Sequence, residues 1–287
     1  MSVDVLQEKI RKLKNPSVVL FEALPDLIPD VFVSQDVSVT ESMDAYFTKL
    51  LTALKGSVPA VRFGFGSFAL LGNAGTDLLQ KLLFFAKKQG FYVLLDAPEM
   101  LTPAAATNVA KLLGADSPFV CDGIVVGAYL GSDVLLPFRD LCKAGKSVFA
   151  VARTSNKSAV ELQDLLTGGR LVHIAAVDVI ARHGETVVGK CGYSNLGAVA
   201  AAGSAGSLRT LRSKYNRVFL LLDGYDYPNA NAKNCSFAFD RLGHGGAACA
   251  CAGILGAWKE GEGDPVELAV QAAERMKKNL TRYVNIL

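Results

Sequence analysis

Eight short, nearly unbroken apolar runs recur along this 287-residue chain: Val18–Ala23, Ala60–Phe65, Phe91–Asp96, Gly123–Val126, Ser147–Ala152, Gly197–Ala202, Val218–Asp223 and Ala247–Cys251. A strand with one face in water alternates apolar and polar residues, so runs that do not alternate predict strands buried on both faces of a parallel sheet. Helical patterns lie between them. Thr40 and Glu41 open a helix over Ser42–Lys55, in which Tyr46, Leu50, Leu51 and Leu54 share one face and Gly56 supplies the stop. Thr76–Lys88, Thr102–Leu113, Asp133–Lys143, Ser158–Leu166 and Ser207–Lys214 carry similar patterns. Asp264 followed by Pro265 caps a final helix that runs to about Tyr283. Strand-then-helix units in this number predict an α/β fold, a (β/α)8 TIM barrel. No Pro- or Ser-rich linker divides it, so residues 1–287 are expected to form a single domain. A doubly wound open sheet is the alternative, but it usually places a glycine-rich phosphate turn after an early strand, and here that turn reads LPDLIPD.

Composition narrows the function classes. Hydrophobic residues make up 51% of the chain, enough for a large core and incompatible with a disordered or fibrous protein. Thirty Lys and Arg against 27 Asp and Glu leave a net charge of +3, with no basic run of the kind a nucleic-acid footprint needs. The uncharged stretches Cys191–Leu208 and Leu242–Trp258 are dominated by Gly, Ala and Ser and read as buried strands with their turns, not membrane spans. The start, MSVDVLQEKIRKLK, has no apolar leader core, and six cysteines without a secretory leader suit reduced thiols in a cytoplasm.

In a barrel of this kind chemistry sits at the C-terminal ends of the strands and in the loops that follow. Those positions are Glu22 and Leu24; Arg62; Asp96, Pro98, Glu99 and Leu101; Gly127 and Tyr129; Arg153–Asn156; Asp223 and Asp226; and Ala252 and Gly253. Four stretches there carry a resemblance: FVCDGIVVGAYLGSD (119–133), GKSVFAVARTSNKSAVELQDL (145–165), GYSNLGAVAAA (192–202) and DAPEMLTPAAATN (96–108). Together, in order and over nearly the whole chain, they resemble the bacterial type 2 branch of the orotidine 5′-phosphate decarboxylase family. RTSN followed by ELQDL is the most specific part of the match.

The resemblance implies a charged catalytic set: a lysine that protonates the carbon losing CO2, aspartates and a second lysine around it, and an arginine with backbone amides on the phosphate. The family's third-strand loop, Asp-x-Lys-x-x-Asp, falls on Asp96, Pro98 and Leu101, so the first Asp stays while the Lys and second Asp are replaced. The lysine expected after strand two falls on Arg62, the first-loop aspartate on Leu24 and the phosphate arginine on Ala252. In place of the family's glycine-rich phosphate loop stands Asp223-Gly224-Tyr225-Asp226-Tyr227-Pro228-Asn229, with two carboxylates and a proline that removes an N–H donor. Ser155 falls on the serine that in this family bonds the pyrimidine ring, and Ser155 and Thr154 are the expected substrate-binding residues.

Each of these residues also has a plainer reading. Arg62 replaces a lysine electrostatically but cannot donate a proton, and pairing with Asp96 or Glu99 accounts for it structurally. Glu22, Glu99, Asp223 and Asp226 could gather around a cation, yet loop carboxylates are usually just solvated, and neither a metal nor a cofactor is expected. Cys249 and Cys251 lie two apart on a strand, without zinc-site spacing, and read as small buried thiols. His173 and His183 read as ordinary surface residues near a helical connector. The resulting expectations are a barrel that is inactive or altered in chemistry, and a mouth suited to a pyrimidine-like small molecule without phosphate. No nucleic-acid or membrane partner is expected. A homodimer is, with Met100 and Leu101 buried against the partner. The open alternatives are an enzyme with changed chemistry built on Arg62, Asp96, Glu99 and Asp223, and a genuine decarboxylase whose site is rebuilt from other residues.

Overall fold

The computed structural model describes residues 2–114 and 117–287. All eight predicted runs form parallel strands, and they close on themselves. The barrel strands are β1 (Ser17–Phe21), β2 (Ala60–Gly64), β3 (Tyr92–Asp96), β4 (Gly123–Gly127), β5 (Ser147–Val151), β8 (Leu196–Ala201), β9 (Leu220–Asp223) and β10 (Gly246–Ala250), with β6 (Leu166–Thr167) and β7 (Arg170–Leu171) forming a separate two-stranded hairpin. Going round the barrel the order is β1, β10, β9, β8, β5, β4, β3, β2 and back to β1. The predicted (β/α)8 barrel is therefore the architecture of the chain, and the open-sheet alternative is excluded.

Local chemistry explains where the helices begin. Among them, α2 (Val39–Leu54) starts at Ser38, which bonds the Glu41 N–H while the Glu41 carboxylate bonds back to Ser38, a reciprocal cap. α11 (Pro265–Thr281) starts as predicted at Asp264, whose carboxylate takes the N–H groups of Val266 and Glu267. The remaining helices are α1 (Ser2–Leu13), α3 (Phe65–Ala69), α4 (Gly72–Gln89), α5 (Ala106–Leu112), α6 (Ser132–Lys143), α7 (Val172–Gly184), α8 (Ala205–Lys214), α9 (Ala232–Ser236) and α10 (Ala252–Leu255). α1 places Val3, Leu6 and Ile10 in the core. It seals the N-terminal end of the barrel through hydrogen bonds from Ser2 to Tyr92 and from the Val3 N–H to Asn195.

Two helix expectations need correction. Thr102–Leu113 is helical only from Ala106, because a turn comes first in which the Ala105 N–H bonds back to Thr102. Ser158–Leu166 is not an α-helix. A 3-10 turn covers Lys157–Glu161, and the chain then enters the β6–β7 hairpin, turned by Gly168 and Gly169 at φ +54° and +78°. The long helix of this unit is α7 instead.

Candidate active site

The period of two along each strand decides what enters the barrel. Arg62 stands in register with Leu20 on β1 and Leu94 on β3, and Asp96, two residues beyond Leu94, points the same way at the mouth. Across the barrel Asp223 ends β9. The three meet. Arg62 Nη2 lies 2.6 Å from Asp96 Oδ2, and Nη1 lies 3.0 Å from Asp223 Oδ1. The Arg62 side chain is 5% exposed and that of Asp96 11%, so the pair is buried, and the bond to Asp223 ties Arg62 across the barrel. Arg62 pairs with Asp96 as predicted. Its second partner is Asp223 rather than Glu99, which stands exposed in the 3-10 turn beside Pro98.

Above this pair opens a cavity of about 520 Å³, which includes Glu22, Asp26, Arg62, Asp96, Asp223 and Asp226 in its wall. Among the described residues that line it, Arg62 is the one cation. Burial disfavours the Arg62 charge, but Asp96 and Asp223 outweigh that and hold its pKa above the ordinary value. Burial pushes the Asp96 carboxyl up, repulsion from Asp223 and Glu99 adds to the rise, and Arg62 opposes it. Glu22 is also raised, by burial first and then by Asp96 and Asp223, against a bond from Ser67 and the charge of Arg62. Its carboxyl occupies space that only a glycine leaves open, since a Cβ on Gly64 would sit 2.2 Å from Glu22 Oε2. A glycine at the end of one buried run, level with an acid at the end of its neighbour, was the sequence signal for this placement.

Where the resemblance expects a phosphate loop, the backbone N–H groups are taken by the chain itself. Asp226 Oδ2 accepts the backbone N–H groups of Cys251 and Gly253, each at 2.9 Å. Leu24 and Ala252 line the cavity without charge. Ser155 donates its hydroxyl to the Asp223 carbonyl, and Gly224 makes room for it: at φ +71° a Cβ there would lie 2.6 Å from the Ser155 Cβ. Thr154 is held by Gln163, which accepts the Thr154 N–H at 2.8 Å. Arg153 makes a two-point bond to Asp164 at 3.0 and 2.8 Å, so RTSN and ELQDL are two halves of one interlock.

Leu101 is buried in the chain's own core and Met100 packs partly against it, so this loop has apolar partners within the chain. Cys249 is a buried thiol beside Arg62, pushed up to about 12 by burial, while Cys251 is half-buried. His173 is not a surface residue: it is 1% exposed and bonded at both ring nitrogens. Among the described residues no three of His, Cys, Asp and Glu are arranged to hold a metal ion, and no helix is long and apolar enough to cross a membrane.

The barrel has known relatives. The chain is 27% identical over 285 residues to the orotidine 5′-phosphate decarboxylase of Clostridium novyi, covering 98% of both chains. Over nearly its whole length the chain is similar to proteins of the orotidine 5′-phosphate decarboxylase family. Solved structures agree on the fold. One assigned as orotidine-monophosphate-decarboxylase from Toxoplasma gondii superposes with a TM-score of 0.81 at 18% identity, covering 98% of this chain and 97% of that one. One assigned as orotidine 5′-phosphate decarboxylase from Streptomyces avermitilis gives 0.81 at 23%, covering 99% and 95%. No family model matches the chain.

Proposed function

We propose that this protein is a member of the decarboxylase family, descended from pyrimidine biosynthesis, that does not turn over orotidine 5′-phosphate and instead binds a pyrimidine-like ligand without phosphate. The observation that carries the reading is Asp226. Its carboxylate takes two backbone N–H groups at the mouth, of the kind an anionic ligand would need. At an effective dielectric near 20, like charges about 4 Å apart repel by about 4 kcal/mol. Screening at the exposed Asp226 leaves a fraction of that, still about tenfold in affinity. Arg62 offers no compensation, because two carboxylates already neutralise it.

Proton delivery is the second support. Pro98 has no proton to give where the resemblance places a lysine, and a guanidinium does not release one. Calorimetry with uridine and uridine monophosphate tests the reading, and the expected result is tighter binding of uridine. Tighter binding of the monophosphate, or rescue of a pyrimidine auxotroph at normal expression, refutes it.

One observation favours a second reading, an enzyme with changed chemistry. Glu22 and Asp96 both have raised pKa values at the cavity wall, which suits an acid that keeps its proton closer to neutrality. In either reading the chain is proposed to pair with a second copy. The exposed apolar residues Val160, Leu162, Leu165 and Leu166 around the β6–β7 hairpin support this, and sedimentation as a monomer at micromolar concentration overturns it.

A further inference from the structure

A second cluster lies outside the cavity, where the β6–β7 arm meets the N-terminal turns of α7 and α8. His173, buried in the first turn of α7, turns Nδ1 toward two oxygens: the Gln163 carbonyl at 2.9 Å and Asp164 Oδ1 at 3.1 Å. A carbonyl and an ionised carboxylate only accept, so the neutral ring carries its proton on Nδ1 and leaves Nε2 as an acceptor. Ser207 Oγ stands 2.9 Å from that Nε2 and is therefore the donor. The two-point bond from Arg153 holds the Asp164 carboxyl below its usual range, with further lowering from His173, so the oxygen facing the ring is an anion at neutral pH.

The surroundings of Ser207 suit an acyl group. It lies in the first turn of the ten-residue α8, whose N-cap Ser204 makes no side-chain capping bond. The first N–H groups of a helix have no partner within it, and they carry its positive end. Ser207 keeps part of its surface, and a Cβ built on the exposed Gly206 meets nothing within 4 Å, so the turn is open to solvent. A hydroxyl, a base in the accepting tautomer, an anion behind the base and N–H donors beside the hydroxyl are the parts of nucleophilic acyl transfer.

We propose that Ser207, His173 and Asp164 form a serine acyl-transfer centre for small carboxylic esters, independent of the mouth cavity. Ser207 Oγ bonds to the ester carbonyl carbon while its proton passes to His173 Nε2. The N–H groups of the first turn of α8 meet the charge on the carbonyl oxygen. The bond from carbon to the alcohol oxygen then breaks, and His173 returns the proton to the departing alcohol. Water attacks the acyl-serine by the same route, releasing the carboxylate and restoring Ser207. Asp164 is a positioning residue that, together with the Gln163 carbonyl, fixes the ring and its tautomer.

The test is labelling of the folded chain with a fluorophosphonate, followed by peptide mass spectrometry and p-nitrophenyl acetate turnover. The expected result is an adduct on Ser207, absent in Ser207→Ala, and slowed at least about a hundredfold in His173→Gln with thermal unfolding recorded alongside. No adduct on Ser207, or an equal rate in a folded His173→Gln variant, overturns the proposal. Should His173→Gln fail to fold, Ser207→Cys leaves the buried ring untouched: its thiol should react with iodoacetamide faster than the same thiol in the unfolded chain, and an equal or slower rate overturns the proposal. A negative calorimetric result at the mouth leaves these readouts unchanged, so the two proposals fail separately.

Discussion

The two ends of the barrel bury polar groups in opposite ways. Under α1 at the N-terminal end the network is built of neutral groups: Ser2 Oγ lies 2.6 Å from the Tyr92 hydroxyl, which lies 2.7 Å from Ser147 Oγ, and Asn195 bonds both the Val3 N–H and the Cys142 carbonyl, while the Arg212 guanidinium at this end is satisfied by backbone carbonyls. At the mouth the network is ionic, and Arg62 Nε and Asp96 Oδ1 are buried without a hydrogen-bond partner. Neutral networks close a structure at modest desolvation cost, whereas buried charges weigh on stability and persist where something else depends on them. The sealed end is scaffold, and the ionic end is where a ligand has something to gain.

The largest effect that would break this contrast comes from Arg62→Met. It strands Asp96 and Asp223 without their cation, and urea unfolding at neutral pH should show a loss of about 3–5 kcal/mol. Because burial has already raised Asp96 and Glu22, acidification should recover part of the loss as they take up protons; a variant equally destabilised at about pH 5 would show that these carboxyls do not set the cost. At the other end, Tyr92→Phe removes the hydroxyl shared by Ser2 and Ser147. It should cost about 1–2 kcal/mol by the same measurement and leave uridine binding unchanged.

Smaller effects sharpen the comparison. Asp226→Ala with Ala252→Arg frees the N–H groups of Cys251 and Gly253 and restores a cation, so the ratio of monophosphate to uridine affinity should rise about tenfold or more in calorimetry. Turnover of orotidine 5′-phosphate should stay absent, since Pro98 remains. The smallest effect is that of Glu22→Gln. A carboxyl whose folded pKa is raised contributes stability that is complete below its unfolded pKa and lost as pH rises through the folded value. The variant should therefore be slightly more stable than the parent at neutral pH, with the advantage vanishing by about pH 4. An advantage that grows on acidification would contradict the direction assigned to Glu22.

The barrel was legible because strands buried on both faces leave contiguous apolar runs, a pattern that survives any change of chemistry. The Arg62–Asp96 pair was legible because the two residues lie on neighbouring strands, two positions apart in register, and so face the same way. Asp223 was harder to place as its second partner, since β9 meets β2 only across the barrel interior and no local spacing encodes that distance. The segment 158–166 misled for a physical reason: Val160, Leu162, Leu165 and Leu166 have apolar spacing close to a helix but stay exposed. Backbone bonds from Val172 to Leu165 and from His173 to Gln163 tie the segment into a hairpin instead. His173 looked like a surface residue because its burial comes from that hairpin folding over α7.

The bonds between Arg153 and Asp164 and between Thr154 and Gln163 join one part of the chain to another. They would hold as firmly in a barrel that had lost its reaction as in one that keeps it. Ancestry and chemistry are thus written in separate places in this chain. The segments that carry the resemblance are struts, and the positions at the mouth can change without disturbing them. A kinship traced through the struts dates the building and says little about the present tenant.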